Sequence, residues 1–447
     1  MTDQLPQISS AILNFHDQRD ELFNELHTRP FPVIESPARV SQLAILHAGE
    51  LHERKQYHQK EFDHLSTLCS RYSVNTPTKD ATCYYQDFGG FEFRWERHTE
   101  FSTYTFIHKL TSEPFQRTAL SLLPSEWLAD MPGKVISGLH VEVDVMPDQQ
   151  PTVDMLREHF EGHRLLSCYA NDRQAQIWTA YKIHSDNMGR FLVLNDGLNP
   201  CQTGRLVRRL LELETYRMVA LLSLPLARQI APNVRGMDQQ LATVIQQIGD
   251  IKTLEDERRL LSELTMLSAS IEQLISDTNY RFSATEAYYR LAMSRLDELR
   301  EQDVCGLQTL SEFLGRRLTP AYRTCETIRE DLDDLSNRID RASELLRTRV
   351  DLTLEAQNQD LLQSMDRRSK LQFRMQQAVE GLSVAAISYY LVGLFKYLAE
   401  SAKSADLISN STLITGLFVP FAIGFVMFGL HRMKKQLKTT NKKLRSE

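Results

Sequence analysis

Two apolar runs near the end of the chain decide its architecture: GLSVAAISYYLVGLFKYLA at 381–399 and LISNSTLITGLFVPFAIGFVMFGL at 407–430. The first run carries one charge, Lys396, close to its far end, and the second carries none. Each run is near the roughly 20 residues that a helix needs to cross the hydrocarbon core of a bilayer. Because only Glu400–Asp406 lies between them, the two runs predict a transmembrane helical hairpin within 379–430.

Basic residues flank both outer ends of this predicted hairpin. Loops on the cytoplasmic side of a membrane carry an excess of Lys and Arg, and the N-terminal residues contain no apolar run of signal-peptide length. We therefore expect a multi-pass protein of the bacterial inner membrane whose N- and C-termini are both cytoplasmic, with 431–447 as a basic tail. The basic residues are Arg367, Arg368, Lys370 and Arg374 before the hairpin, and Arg432, Lys434, Lys435, Lys438, Lys442, Lys443 and Arg445 after it.

The composition of the 447 residues is that of a protein whose mass lies mostly outside the bilayer, with 42% hydrophobic and 25% charged residues. A net charge of −6 argues against a nucleic-acid partner, because such proteins show a basic excess on the binding domain. The six cysteines are scattered and form no CxxC pair. This usage is typical of reduced cytosolic thiols.

Proline divides the chain into two parts, since thirteen of the fifteen prolines lie at or before Pro232. Proline disrupts helix interiors, so the second part can form long helices. The first part, 1–203, is predicted to be a cytosolic α+β domain. Its predicted helices are Asp17–Leu26, Val40–Tyr72 and Pro151–His163, and its predicted strands are Thr82–Phe88, Phe91–His98, Ser102–His108, Val135–Val145, Leu165–Ala170, Ala175–His184 and Arg190–Leu194.

A long α-helical coiled-coil stalk is predicted for 204–378. Gly204–Ile230 has leucines at helical spacing and is expected to turn at Pro225, and Thr319-Pro320 is a typical helix start. From there one helix could continue into the first apolar run. Two apolar seams favour either an antiparallel pairing within the chain, with Gln302–Thr319 as the turn, or a homo-oligomeric coil between chains. The seams are Leu260, Leu264, Leu267, Ile271 and Leu274, and Ile328, Leu332, Leu335, Ile339, Ala342 and Leu346.

No motif for catalysis or for a cofactor is present. The phosphate-binding GxxxxGK[ST], dinucleotide-binding GxGxxG and nucleophile-elbow GxSxG patterns are all missing. His52 and His58 are six residues apart, and Phe160 stands between His159 and His163 where a zinc protease has glutamate. We therefore expect no cofactor and no metal.

The densest polar cluster is WERHTEF at 95–101 with Arg94 before it. Strand alternation would place Arg94, Glu96, His98 and Glu100 on one face and Trp95, Arg97 and Thr99 on the other. Paired carboxylates beside a histidine suit acid–base catalysis, and cross-strand ion pairing explains the same residues. A second cluster lies in NELHTRP at 24–30, where polar side chains at a helix end could hold the N-terminus on the domain. Its members are Asn24, Glu25, His27 and Arg29.

Within the predicted membrane spans, four residues of the first apolar run are candidates for a functional role. They are Tyr389, Tyr390, Gly393 and Lys396. The position of Lys396 also permits its amine to reach the membrane interface, which would need no function.

Several long motifs together give the chain a family resemblance. NELHTRP (24–30), WERHTEF (95–101) and EGLSVAAISYYLVGL (380–394) resemble proteobacterial membrane-anchored proteins of unknown function, which implies an architecture and a location but no activity. The layout also resembles the two-span magnesium channels of the CorA class. Those channels carry Gly-Met-Asn at the outer end of the first span, and 397–410 has no such triplet.

Three functions follow as hypotheses from these patterns. The first is a membrane-anchored homo-oligomeric scaffold or sensor without catalysis. The second is a CorA-like ion channel or transporter. The third is an enzyme that uses the Glu96, His98 and Glu100 group.

Overall fold

The computed structural model describes residues 15–25, 31–47, 54–251, 253–404 and 410–443. The chain divides into two compact units, Met1–Ser343 and Glu344–Glu447. In chain order the described strands and helices are α1 (Arg19–Glu25), β1 (Ala38–Leu46), α2 (Arg54–Arg71), β2 (Cys83–Asp87), β3 (Glu92–Arg97), β4 (Phe101–His108), α3 (Ser125–Ala129), β5 (Lys134–Val145), α4 (Val153–Glu158), β6 (Leu166–Ala170), β7 (Ala175–Thr179), β8 (Gly189–Asn195), α5 (Pro200–Ala220), α6 (Ser223–Asp250), α7 (Leu254–Asp297), β9 (Gln302–Asp303), α8 (Leu310–Ser404) and α9 (Ser411–Lys443).

The first unit is built on one nine-stranded sheet with the order β2-β3-β4-β1-β5-β8-β7-β6-β9. Neighbouring strands are antiparallel except for β5 and β8, which are parallel. All seven strands predicted between residues 82 and 194 are present, because each is short, rich in β-branched or aromatic residues and bounded by turn residues. The N-terminal α/β sheet domain is therefore confirmed.

The two faces of the sheet have different cores. On one face, Val40, Val141 and Val143 pack with leucines of α5 and with Leu310, Leu314 and Leu318 of α8. On the other face, an aromatic cluster around Phe93, Tyr104 and Phe106 packs under α2, and a smaller cluster packs around Phe160 beside α4. A polar strip separates these two clusters and is described below. The predicted division at residue 203 stays a prediction, and contacts group the residues up to 343 as one unit.

The predicted helix Val40–Tyr72 was wrong in its first part, because Ala38–Leu46 forms strand β1. Both faces of this strand are buried, because the cores on the two sides of the sheet cover them. Its second half, residues 43–46, is an unbroken apolar run without alternation. Without alternation, apolar spacing alone does not distinguish such a strand from a buried helix. Of the remainder, Arg54–Arg71 forms α2, and 48–53 lie outside the described residues.

The helix predicted over Gly204–Ile230 is present as two helices. Asn199 accepts a hydrogen bond from the Gln202 backbone N–H and completes a capping box at the start of α5. The chain breaks at Leu221 and Leu222 and not at the predicted Pro225, which lies in the first turn of α6. Proline is tolerated there because the first-turn N–H groups have no partner within a helix.

The predicted helix start at Thr319-Pro320 was also wrong, because α8 begins at Leu310 and contains Pro320 in its interior. The Thr309 hydroxyl accepts a hydrogen bond from the Glu312 N–H at 3.2 Å and so caps the first turn. Packing of Leu310, Leu314 and Leu318 into the core of the sheet domain holds the helix upstream of the proline.

Within the first unit, α7 and the beginning of α8 pair in antiparallel order. The rings of Tyr289 and Tyr322 stack with centroids 4.0 Å apart, and Arg329 pairs with Glu286 at 2.8 Å. This antiparallel pairing within the chain is one of the two arrangements predicted from the apolar seams. Coiled-coil geometry and pairing between chains stay predictions.

The second unit comprises residues 344–404 of α8 together with α9. Both helices contain a segment long and apolar enough to cross a membrane, and the first segment contains the predicted run 381–399. The rings of Phe395 and Phe418 stack with centroids 3.8 Å apart. The hairpin arrangement itself stays a prediction.

Candidate functional site

The polar cluster predicted around WERHTEF is divided between a strand and a turn. Strand β3 ends at Arg97, so His98 and Glu100 lie in the turn before β4 and do not continue the strand face. Arg94 and Glu96 share the predicted face and form an ion pair at 2.6 Å, with both residues buried. Arg94 therefore supplies the ion-pair partner of Glu96 in this arrangement.

Side chains on the other face of β3 bind Glu61, a residue of α2 that was not predicted from the sequence. Trp95 and Arg97 lie on one face, as predicted, and both donate to the buried carboxylate of Glu61 on α2, at 3.0 and 2.9 Å. Tyr104 donates to the same carboxylate at 3.3 Å. The motif Trp95-x-Arg97 thus fastens α2 to the sheet.

The turn of the cluster binds helix α7. Both oxygens of Glu100 accept from the Arg281 guanidinium, at 2.6 and 3.1 Å. The His98 ring stacks on Phe101 with centroids 4.6 Å apart. The contact with Arg281 holds the β3–β4 turn against α7, which packs on the face of the sheet opposite to α2.

Of the second predicted cluster, Asn24 and Glu25 end helix α1, and His27 and Arg29 lie outside the described residues. The four membrane-span candidates all lie on α8 in the second unit. Tyr389 and Tyr390 are 77% and 72% exposed, an alanine Cβ at Gly393 would contact nothing within 4 Å, and Lys396 lies 3.8 Å from Glu400.

A row of polar side chains follows β1 and β5 on the sheet face between the two clusters. Arg39 forms an ion pair with Glu142 and a second with Asp144 at 2.7 Å. Burial raises the pKa of Glu142 to about 8, although Arg39 acts in the opposite direction. The pair lies in the interior of the unit and joins the two central strands.

The next cross-strand pair in this row contains the elements of a serine nucleophile. Ser41 Oγ lies 2.7 Å from His140 Nδ1, and His140 Nε2 lies 3.8 Å from Asp186 Oδ2. Burial lowers the pKa of His140 to about 4. However, Ser41 is completely buried, and a nucleophile must reach its substrate. We therefore assign this triplet to the structure of the sheet.

The row ends at a group of possible metal ligands formed by Glu161, His163 and His184. One ligand atom from each residue lies within 4.8 Å of the other two. Ser185 donates its hydroxyl to Glu161 Oε1 at 2.6 Å and its backbone N–H to both oxygens, and these bonds lower the pKa of Glu161 to about 2. Burial lowers the pKa of His184. The carboxylate is thus charged and the imidazole neutral at pH 7, as metal ligands must be.

A basic cavity of about 600 Å³ lies next to this group, and His163 lines it as well. Its walls come from β6, from the residues after β7 and from the first turns of α8. Four cationic side chains contribute to it, and none of them has an ion-pair partner among the residues that the structure describes. They are Arg164, Lys182, Arg316 and Arg317, with Glu312 as the acidic residue of the lining.

A second cavity of about 750 Å³ is mainly apolar and also touches Lys182. Tyr181 and the ion pair of Arg217 with Glu214 supply polar groups to its wall. The Tyr181 ring stacks on Phe313 of α8 with centroids 5.0 Å apart. Both cavities therefore lie near the start of α8. Residues of α8 line the basic cavity, and Tyr181, which lines the second, contacts Phe313 of α8.

Glu161, His184, Arg316 and Arg317 were not among the residues predicted from the sequence. His163 was considered only as a helical partner of His159, whereas α4 ends at Glu158. Glu161 and His163 therefore follow the helix in a turn, and His184 reaches them from the loop between β7 and β8. A contact between residues so far apart in sequence has no local signal.

Comparison with known proteins places the chain in a family. A family model described as "Protein of unknown function (DUF3422)" matches residues 14–437. No curated protein and no solved structure shows significant similarity to the chain.

Proposed function

The chain belongs to this family of proteins of unknown function, and we propose that it is a membrane-anchored homo-oligomeric sensor of a small anionic ligand. The observation that carries the proposal is the basic cavity. Its cations come from two parts of the first unit: Arg164 and Lys182 lie in the loops before β6 and after β7, and Arg316 and Arg317 lie on α8. A bound anion would neutralise both sets at once.

The size and charge of the cavity support a ligand larger than a simple ion. Binding sites for small molecules are typically about 300–1,000 Å³, and hydrogen bonds from Arg or Lys to phosphate or carboxylate oxygens are charge-assisted and strong. A ligand that contacts the sheet and α8 together would favour one position of α8 over another, which is what a sensor requires.

The experiment titrates the full-length protein in mild detergent with pyrophosphate and, separately, with ATP. Calorimetry measures the heat of binding in each titration. The double variant Arg316→Ala/Arg317→Ala should weaken binding by roughly 10-fold or more, because a hydrogen bond to a charged group contributes about 1.5–3 kcal/mol. Arg323→Ala is the matched control, since Arg323 is an exposed arginine on the same helix outside the cavity lining. Binding that is absent, or equally weak in both variants, would reject the proposal.

A homo-oligomer is proposed because α8 exposes large apolar side chains before the first apolar run. Leu352, Leu361, Leu362 and Leu371 are each more than 60% exposed, and burial of such side chains is favourable. A second copy of the same helix could cover them. Light scattering of the detergent-solubilised protein should report more than one chain per particle, and a stable monomer would contradict this part of the proposal.

The channel alternative is supported by the exposure of Tyr389 and Tyr390 on α8, which leaves both side chains available to line a path between copies. It requires cation flux into liposomes that contain the purified protein. Flux that is absent, or unchanged in Tyr389→Ala and Tyr390→Ala, would exclude these residues as pore lining.

A further inference from the structure

We propose that Glu161, His163 and His184 bind one divalent transition-metal ion. The inference goes beyond the anion-sensing proposal and does not depend on it, since the three ligands are present whether or not the basic cavity is filled. Two imidazoles and one carboxylate form a donor set that suits Zn²⁺, Fe²⁺ or Co²⁺.

The three ligand atoms lie close to the spacing that a zinc ion requires. Ligand atoms around a tetrahedral zinc ion at bond lengths of about 2.0–2.1 Å lie roughly 3.4 Å apart. His184 Nδ1 already lies 3.5 Å from Glu161 Oε2, and the third ligand, from His163, is within 4.8 Å of both. His163 is half-buried and follows the turn after α4, so a change in its side-chain rotamer can close the remaining distance.

The buried imidazole of His184 lacks a hydrogen-bond partner in the part of the chain that the structure describes. Its side chain is completely buried, and neither ring nitrogen has a hydrogen-bond partner among the described residues. A buried polar group without a partner costs free energy, and a neutral imidazole is a common metal ligand. A metal ion on Nδ1 would satisfy a nitrogen that otherwise faces only the Glu161 carboxylate.

Outer contacts orient the Glu161 carboxylate for this role. The Ser185 hydroxyl and, at 3.3 Å, Arg190 donate to Oε1 of Glu161, and Oε2 accepts from the Ser185 backbone N–H at 3.2 Å and lies towards His184. Metal-binding carboxylates are usually held by such hydrogen bonds from a surrounding shell. Three protein ligands leave a coordination position open, and His163 places the ion at the edge of the basic cavity.

The experiment uses tag-free, chelator-treated full-length protein in mild detergent, with the exposed Cys201 and Cys305 replaced by serine so that thiolates do not contribute. We expect it to bind about one Zn²⁺ per chain in calorimetry, and millimolar Mg²⁺ or Ca²⁺ should not compete, because imidazole is a poor ligand for these hard cations. Co²⁺ should give visible absorption bands without thiolate-to-metal charge transfer.

His163→Ala should weaken Zn²⁺ binding by at least about 100-fold, because loss of an outer contact alone typically costs 10–100-fold. His159→Ala is the matched control: His159 is equally half-buried, lies four residues earlier in the chain and is not part of the ligand group. Circular dichroism of each variant establishes that it is folded. Failure of the wild-type chain to bind Zn²⁺, a thiolate charge-transfer band, or equal losses in the two variants would each overturn the proposal.

Failure of the metal site would leave the anion proposal intact, because pyrophosphate binding is measured without metal and depends on Arg316 and Arg317. Conversely, a protein that binds Zn²⁺ but no anion would retain the metal site and lose the sensing proposal. The two experiments therefore separate the two inferences.

Discussion

Single buried residues determine how the sheet domain holds together, and Glu61 is the clearest example. Its carboxylate accepts from Trp95, Arg97 and Tyr104 while completely buried. Such a group is stable only while all of its partners remain, because an unpaired buried charge is costly.

We expect Glu61→Ala to destabilise the sheet domain by about 3–5 kcal/mol, the usual cost of removing one partner of a buried ion pair. Glu61→Gln keeps an acceptor oxygen and should cost less. Asp63→Asn, at an exposed position of the same helix, should change stability by less than about 0.5 kcal/mol. Urea unfolding followed by tryptophan fluorescence measures all three, since the three tryptophans, Trp95, Trp127 and Trp178, are buried in the first unit. Equal costs for Glu61→Ala and Asp63→Asn would disprove the role of the buried carboxylate.

His47 makes the sheet domain sensitive to acid. Its Nε2 lies 3.0 Å from Ser102 Oγ, and burial lowers its pKa from 6.5 to about 4, with smaller contributions from His58, Arg97 and Arg54 in the same direction and from Glu61 in the opposite one. Between these pKa values the unfolded chain binds the proton more readily than the folded chain. Stability contributed by His47 is therefore present above pH 6.5 and is lost as the pH falls towards 4.

We expect the loss from this group to approach at most about 1.4 kcal/mol per pH unit. His47→Gln should make the unfolding midpoint less dependent on pH between 6.5 and 4.5. His108→Gln is the control, because His108 is only half-buried and lies on the adjacent strand β4. An unchanged pH dependence in His47→Gln would show that other groups determine acid sensitivity.

At the scale of the secondary-structure elements, α5 approaches the chain segment 31–35 without any intervening side chain. A Cβ on Gly204 would overlap the carbonyl of Pro32, and Ile34 donates its N–H to the Pro200 carbonyl at 3.1 Å. The glycine in GRLVRRLLEL thus allows the segment before β1 to lie against the helix.

Gly204→Ala should therefore destabilise the first unit by about 1–3 kcal/mol or more, as overpacking does. Gly236→Ala is a matched substitution in the interior of α6, where an added Cβ meets nothing within 4 Å. It should stabilise by about 0.5–1 kcal/mol because alanine is the better helix former. Thermal unfolding of the two variants should shift in opposite directions, and a shift in the same direction would refute the contact.

The elements also show what the sequence could and could not reveal. Strands with local alternation, such as β3 and β4, were predictable because half of each pattern is polar. Strand β1 was not, since the cores on the two sides of the sheet bury both of its faces. The start of α8 was placed too late because Leu310 and Leu314 are held by packing against the sheet, a contact that overrides the local proline pattern.

The candidate site was less predictable than the fold. Trp95 and Arg97 were correctly placed on one strand face, but their partner Glu61 lies on a helix with no motif. Glu161, His163 and His184 meet only because the turn after α4 and the loop between β7 and β8 are neighbours in the folded domain. Sequence spacing alone does not predict such a contact, because it does not show which strands lie side by side in the sheet.

At the scale of the whole molecule, the two apolar helices predict a definite membrane topology. A fluorescent protein fused after residue 447 should be fluorescent, as expected in the cytoplasm, and alkaline phosphatase fused after Glu400 should be active, as expected outside it. The reciprocal fusions provide the controls. The protein should stay with the membrane fraction after carbonate washing, and release by carbonate or the opposite reporter pattern would contradict the topology.

The two-residue strand β9 has a consequence for how the protein is made. It supplies the partner of β6 at the edge of the sheet, yet it follows α5, α6 and α7 in the chain. A ribosome that adds about 5–20 residues per second delivers this partner on the order of 10 s after β6 itself. The order of strands in the sheet therefore cannot be complete until three helices have been synthesised, and all nine strands are synthesised before the apolar run 381–399. We therefore expect assembly of the sheet to precede any insertion of that run into a bilayer.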